Sequence, residues 1–171
     1  NGRLNSPTII PDSKGWWTRV HAVDLDKDGN LDFVLGNWGL NNKFKASPAK
    51  PLTMYVNDFD NNEKSEFIIN WYPPGDTTAY PFAPKNEITS QLPALRKSIL
   101  KYEEYALKTY DSLFTESVRK TSVEYRVNNL ESAILWNDGK NLSLTPLPME
   151  AQLSPVFGII ADDLDGDSIT D

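Results

Sequence analysis

Asp24-Leu25-Asp26-Lys27-Asp28-Gly29-Asn30-Leu31-Asp32 carries carboxylates at the first, third, fifth and ninth places of a nine-residue run, with glycine at the sixth. Alternate residues of a tight loop can point the same way. Asp24, Asp26, Asp28 and Asp32 are therefore expected to converge on one point, where their charges repel unless a cation lies among them. Hard oxygen ligands in this number suit Ca²⁺, which takes six to eight of them. Asn30, at the seventh place, is the expected main-chain carbonyl ligand, and Gly29 supplies the left-handed backbone that such a turn tends to need. An EF-hand is excluded, because its twelfth place requires a bidentate glutamate and here is Leu35. The flanks, Trp17–Val23 and Phe33–Leu35, are rich in the β-branched and aromatic residues of strands. The stretch predicts a β-hairpin whose loop holds calcium, set against a solvated acidic turn without metal.

The pattern recurs twice. Strand-like Leu52–Val56 and Phe67–Tyr72 bracket Asp58, Asp60, Asn62 and Glu66 at places one, three, five and nine, with Glu63 at place six. A non-glycine residue there costs of order 1 kcal/mol if the backbone must be left-handed, so metal at this second loop is the weaker expectation. Near the end, Val156–Ile160 leads into Asp163, Asp165, Asp167 and Asp171 in the same four places, with glycine moved to the fourth and Ser168 at the sixth. Between these loops the texture changes. Asn86 reads as a helix N-cap and Pro93 as a break. Tyr105, Ala106, Tyr110, Leu113 and Phe114 then recur at helical spacing. The block from about 86 to 120 is predicted to be a helical insertion covering an edge or face of a sheet. Strands return at Val123–Val127 and in a hairpin from Ala133 to Thr145, with Asp138-Gly139 as its turn.

The chain has 171 residues, 39% of them hydrophobic and 24% charged, which allows a domain with a real core. A net charge of −7 without a basic run disfavours nucleic acid and anionic membranes as partners. No apolar run approaches a membrane span, so no membrane insertion is expected. The absence of cysteine excludes disulfides and thiolate metal sites. Asn1-Gly2-Arg3 and the terminal Asp171 read as cuts through a longer chain, for which export is the expectation.

Three strand and acidic-loop units form an internal repeat. With Phe33-Val34 after the first loop, the Asp163–Asp171 loop and the hairpin Leu135-Trp-Asn-Asp-Gly139, the sequence resembles FG-GAP/VCBS repeats, whose calcium loops are like those of the integrin α-subunit propeller. Gly39-Leu-Asn-Asn42 through Pro48, together with Leu92-Pro-Ala-Leu-Arg96, looks like the large surface VCBS-repeat proteins of Bacteroidetes-type bacteria. The resemblance implies a mainly β fold: a partial β-propeller of about two to three blades. On that reading residues 1–171 are one fragment of a larger propeller, completed by an oligomer or by the rest of a parent chain.

The function this implies is a non-catalytic, calcium-binding module of a cell-surface or extracellular protein, for protein or glycan binding or structural support. The alternative is a carbohydrate-active enzyme, a glycoside hydrolase or lyase. It needs a pair of carboxylates outside the metal loops, and nothing in the sequence pairs Asp12, Asp76, Asp111 or Glu131. His21, the only histidine, alternates with Arg19 and Val23 as a strand residue does. No nucleophile motif or phosphate loop is present, so an enzyme is the lesser expectation.

Overall fold

The computed structural model describes residues 8–167 and residue 170. In chain order the elements begin with β1 (Arg19–Val23), β2 (Asp32–Gly36), β3 (Leu52–Asn57), β4 (Glu66–Trp71) and β5 (Tyr80–Pro81). The helices α1 (Lys85–Gln91), α2 (Tyr102–Ala106), α3 (Tyr110–Leu113) and α4 (Glu116–Thr121) follow. The strands β6 (Val123–Val127), β7 (Ala133–Asn137) and β8 (Leu142–Pro146) come last. The chain divides into two compact units, one of residues 1–43 with 129–171 and the other of residues 44–128.

The first unit is built on an antiparallel sheet in the order β1-β2-β7-β8. β1 and β2 form the hairpin around the first acidic loop, with Val23 opposite Asp32. β2 then pairs with β7, Phe33 opposite Leu135, and β7 turns through Asp138-Gly139 into β8. Asn37 follows β2 and is 0% exposed. Its Oδ1 accepts from the N–H groups of Trp16 and Trp38, and its Nδ2 donates to the carbonyls of Asn129 and Glu131. Gln152 does the same for the segment after β8, accepting from Ser132 N–H and donating to Ser132 and Leu147 carbonyls. Pairing of this kind offsets the cost of burying an amide.

The second unit holds the sheet β5-β4-β3-β6 and all four α-helices. Alternation along the strands sorts its faces. Tyr55 and Ile68 are directly opposite in the ladder and turn toward the helices, where Phe59, Ile88, Leu92, Tyr110 and Phe114 close the core. Tyr55 stacks on Tyr110 at 3.8 Å between ring centroids. Pro84 opens α1 two residues earlier than the sequence suggests, since its ring presets the backbone angle of a helix entry (φ −64°). Asn86 therefore lies inside α1, and its Oδ1 accepts from the Tyr102 hydroxyl instead of capping. Pro93 starts a 3₁₀ turn, Pro93–Lys97, and Thr109 caps α3 by accepting from Ser112 N–H. Burial pushes the Tyr105 hydroxyl, which donates to the Ala83 carbonyl, up to about 12. The protonated phenol is the form that the fold favours, so its contribution is present below pH 10 and is lost as pH rises toward 12. Ultraviolet titration of the wild type against Tyr105→Phe is expected to show one tyrosine ionising late and only on unfolding.

The propeller expectation is corrected here. The described residues form two open four-stranded antiparallel sheets with helices, neither curled nor closed into a ring as blades are. The FG-GAP/VCBS and integrin-like resemblance does not extend to this architecture, and the cell-surface propeller module that it implied loses its scaffold. A nine-residue acidic loop specifies a hairpin and nothing more. Sheet order is set by long-range pairs such as β2 with β7, to which a local motif is blind. Val156–Ile160, expected as the strand before the last acidic loop, joins no ladder among the described residues. Val156 N–H donates to the Asn37 carbonyl, and the Thr18 hydroxyl donates to the carbonyl of Val156.

Candidate metal centres

Two of the three acidic loops lie between paired strands, and their backbones match place for place. In the first, Lys27 and Gly29 have φ of 62° and 89°; in the second, Asn61 and Glu63 have 57° and 67°. Places four and six are thus both left-handed. In the last loop the glycine at place four, Gly166, has φ 83°. The wandering glycine of the sequence is explained: the first two loops each have two left-handed residues, with glycine at one of them or at neither, and the glycine of the last loop falls at one of the same places. Asn61 tolerates this conformation, whereas Glu63 bears its steric cost. Glu63→Gly is expected to stabilise the second unit by about 1 kcal/mol, read as a shift of the urea midpoint at unchanged slope.

Side chains at the first and third places accept from the loop's own backbone. Asp24 Oδ2 takes Gly29 N–H at 3.0 Å and Asp26 Oδ1 takes Asp28 N–H at 3.2 Å. Asp28 accepts from both the backbone and the side-chain nitrogen of Asn30. In the second loop Asp58 takes Asn62 N–H and Glu63 N–H, each at 2.9 Å, and Asn62 Oδ1 takes Lys64 N–H. In the last loop Asp163 takes Gly166 N–H and Asp165 takes Asp167 N–H. Asp171 lies outside the described residues.

The ninth place departs from its expected role in the first loop. Asp32, 1% exposed, uses both oxygens on backbone donors: Oδ2 on Leu25 N–H at 3.1 Å and Oδ1 on Asn137 N–H at 2.8 Å. The converging oxygens there belong to Asp24, Asp26 and Asp28, all within 4.8 Å of one another. Glu66 has one more methylene. Its Oε2 takes Phe59 N–H at 3.0 Å, the counterpart of the Leu25 bond, yet the residue still brings an oxygen within 4.8 Å of Asp58 and Asp60. Asp163, Asp165 and Asp167 converge in the same way.

Each cluster can therefore coordinate a divalent cation. Two atoms show the fit. Asp24 Oδ1 and Asp60 Oδ1 are buried and have no hydrogen-bond partner. A carboxylate oxygen removed from water without a donor is costly, and a cation is the partner that would offset that cost. Three carboxylates within 4.8 Å also repel by about 1 kcal/mol per pair even at the dielectric of water. No family model matches the chain, and neither a curated protein nor a solved structure matches it. No described helix is long and apolar enough to cross a membrane.

Proposed function

We propose that this protein binds Ca²⁺ in its hairpin loops and that the ion acts on the fold, bracing each hairpin, rather than on a substrate. The observation that carries the reading is the pair of buried, partnerless oxygens, Asp24 Oδ1 and Asp60 Oδ1, in loops of matching backbone. The ligands proposed are Asp24, Asp26, Asp28 and the Asn30 carbonyl in the first loop, and Asp58, Asp60, Asn62 and Glu66 in the second. Asp163, Asp165 and Asp167 follow in the last. Asp32 serves the first site by holding the loop's entry and exit together.

Calcium suits these loops better than magnesium. Their oxygens come from side chains of differing reach in an open turn, which a flexible shell of six to eight ligands accommodates and a tight octahedron does not. Isothermal titration calorimetry with Ca²⁺ and with Mg²⁺ tests the reading. Calcium is expected to bind at two or more equivalents and magnesium far more weakly. Asp24→Asn and Asp60→Asn should each abolish a different equivalent and leave the rest. Absence of calcium binding, or binding untouched by both substitutions, overturns it.

A further inference from the structure

The second unit carries a cavity unlike the acidic loops in charge. Its volume is about 520 Å³, and Lys85, Asn86, Thr89, Ser90, Arg96 and Ile99 line most of it. No carboxylate lines it, although the chain as a whole has a net charge of −7. The first four residues come from α1, where spacings of one and four put them on one side of the helix. Arg96 comes from the 3₁₀ turn that follows Pro93.

The hydrogen bonds decide what the cavity can accept: they occupy the Asn86 side-chain oxygen and the carbonyls of Lys85, Thr89 and Leu100, and they leave the terminal nitrogens of Arg96 and the Asn86 amide nitrogen for a ligand. Thr89 Oγ1 donates to the Lys85 carbonyl at 2.8 Å, and the Thr89 carbonyl receives Arg96 Nε at 3.2 Å. Asn86 Oδ1 is taken by the Tyr102 hydroxyl at 2.8 Å, which turns the Asn86 amide so that its nitrogen is spare. Lys85 Nζ is moored to the Leu100 carbonyl at 2.8 Å and lies 4.9 Å from the centre of the Tyr102 ring. Arg96 is oriented through Nε alone, so both terminal nitrogens of its fork remain for a ligand. Of the carboxylates on neighbouring segments, Glu104 spends Oε2 on Leu100 N–H and Lys101 N–H, and Glu87, in the first turn of α1, is not among the lining residues.

We infer that this cavity binds a small oxyanion, a carboxylate or phosphate group, on the Arg96 fork, with Lys85 as second cation and Asn86 Nδ2 and the Ser90 hydroxyl as further donors. Guanidinium oriented through one nitrogen presents the planar pair of N–H bonds that such groups accept bidentately. The cavity shares no lining residue with the proposed calcium loops and does not depend on them.

Titration with inorganic phosphate and with citrate, at constant ionic strength against chloride and in chelator, tests it. Backbone and arginine Nε resonances in nitrogen-15 NMR serve as the readout. Saturable shifts confined to residues 85–100, with millimolar or tighter binding for one of the two anions, are expected, and the anion preferred separates phosphate from carboxylate chemistry. Arg96→Gln should weaken binding at least tenfold and Arg96→Lys by less, since charge survives without the fork. Lys85→Met provides a second variant should Arg96→Gln alter the fold, and it should also weaken binding. No saturable shift with either anion, equal shifts with chloride, or undiminished binding in both Arg96→Gln and Lys85→Met overturns the proposal.

Discussion

Removing calcium should lower the melting temperature of the protein substantially, and each loop should account for its own share. A ligand that binds only the folded form stabilises it by RT ln(1 + [L]/Kd), about 2.7 kcal/mol at a hundred times Kd. For a chain of this size that corresponds to roughly 5–10 °C per occupied loop. The first loop tethers β1 to β2 and the second tethers β3 to β4, so each ion should reinforce the sheet of its own unit. Asp24→Asn should abolish the first share and Asp60→Asn the second, because each removes charge from a buried oxygen that lacks any other partner. In chelator both variants should be as stable as the wild type or slightly more so, since mutual repulsion is relieved. Scanning calorimetry of the three proteins in chelator, in millimolar Ca²⁺ and in millimolar Mg²⁺ gives the comparison. Identical wild-type melting in chelator and in Ca²⁺ would refute the structural role.

Asp32→Ala should behave differently and be at least as damaging. It strips the partner from two backbone donors, Leu25 N–H and Asn137 N–H, at a site 1% exposed to solvent. Each donor left unpaired in a buried position costs about 1–3 kcal/mol, and the relief of charge repulsion, about 1 kcal/mol, is too small to cancel the pair. A net loss of roughly 1–5 kcal/mol is expected on this accounting, and it should appear in chelator as well as in calcium. Urea unfolding in chelator decides the matter. If Asp32→Ala matches the wild type there and loses stability only in Ca²⁺, Asp32 is a ligand of the ion and not the brace described here.

The loops are the most legible part of this sequence, because what they require is local. Carboxylate spacing, a left-handed glycine and β-branched flanks all lie within about twenty residues. Even the displaced glycine of the last loop was a usable signal. A glycine at place six in one repeat and place four in another points to two left-handed positions, as Lys27 with Gly29 and Asn61 with Glu63 show. The role of Asp32 was not legible, because one of its two donors, Asn137, is distant in sequence and close only once β7 lies beside β2. Asn37 was hidden for the same reason. Its amide binds four backbone groups, two of which, the carbonyls of Asn129 and Glu131, are distant in sequence. The propeller reading failed at this same level: repetition of a local device was extended to a global architecture that depends on pairings the device does not specify.

The interruption between β2 and β7 bears on how the polypeptide acquires its structure. The unit of residues 44–128 is continuous, whereas its neighbour is split around it. As the chain leaves the ribosome, every strand and helix of the continuous unit is available before Ala133 has been made. The β1–β2 hairpin must meanwhile wait with one side of β2 unpaired, an edge open to wrong partners. Domains fold as units during synthesis, and contacts between distant residues form late. Early compaction of the inserted unit sets Leu52 opposite Val127 in the β3–β6 ladder and so shortens the effective loop that the β2–β7 pairing must close. On this topology the β2–β7 pairing is the contact expected to form last.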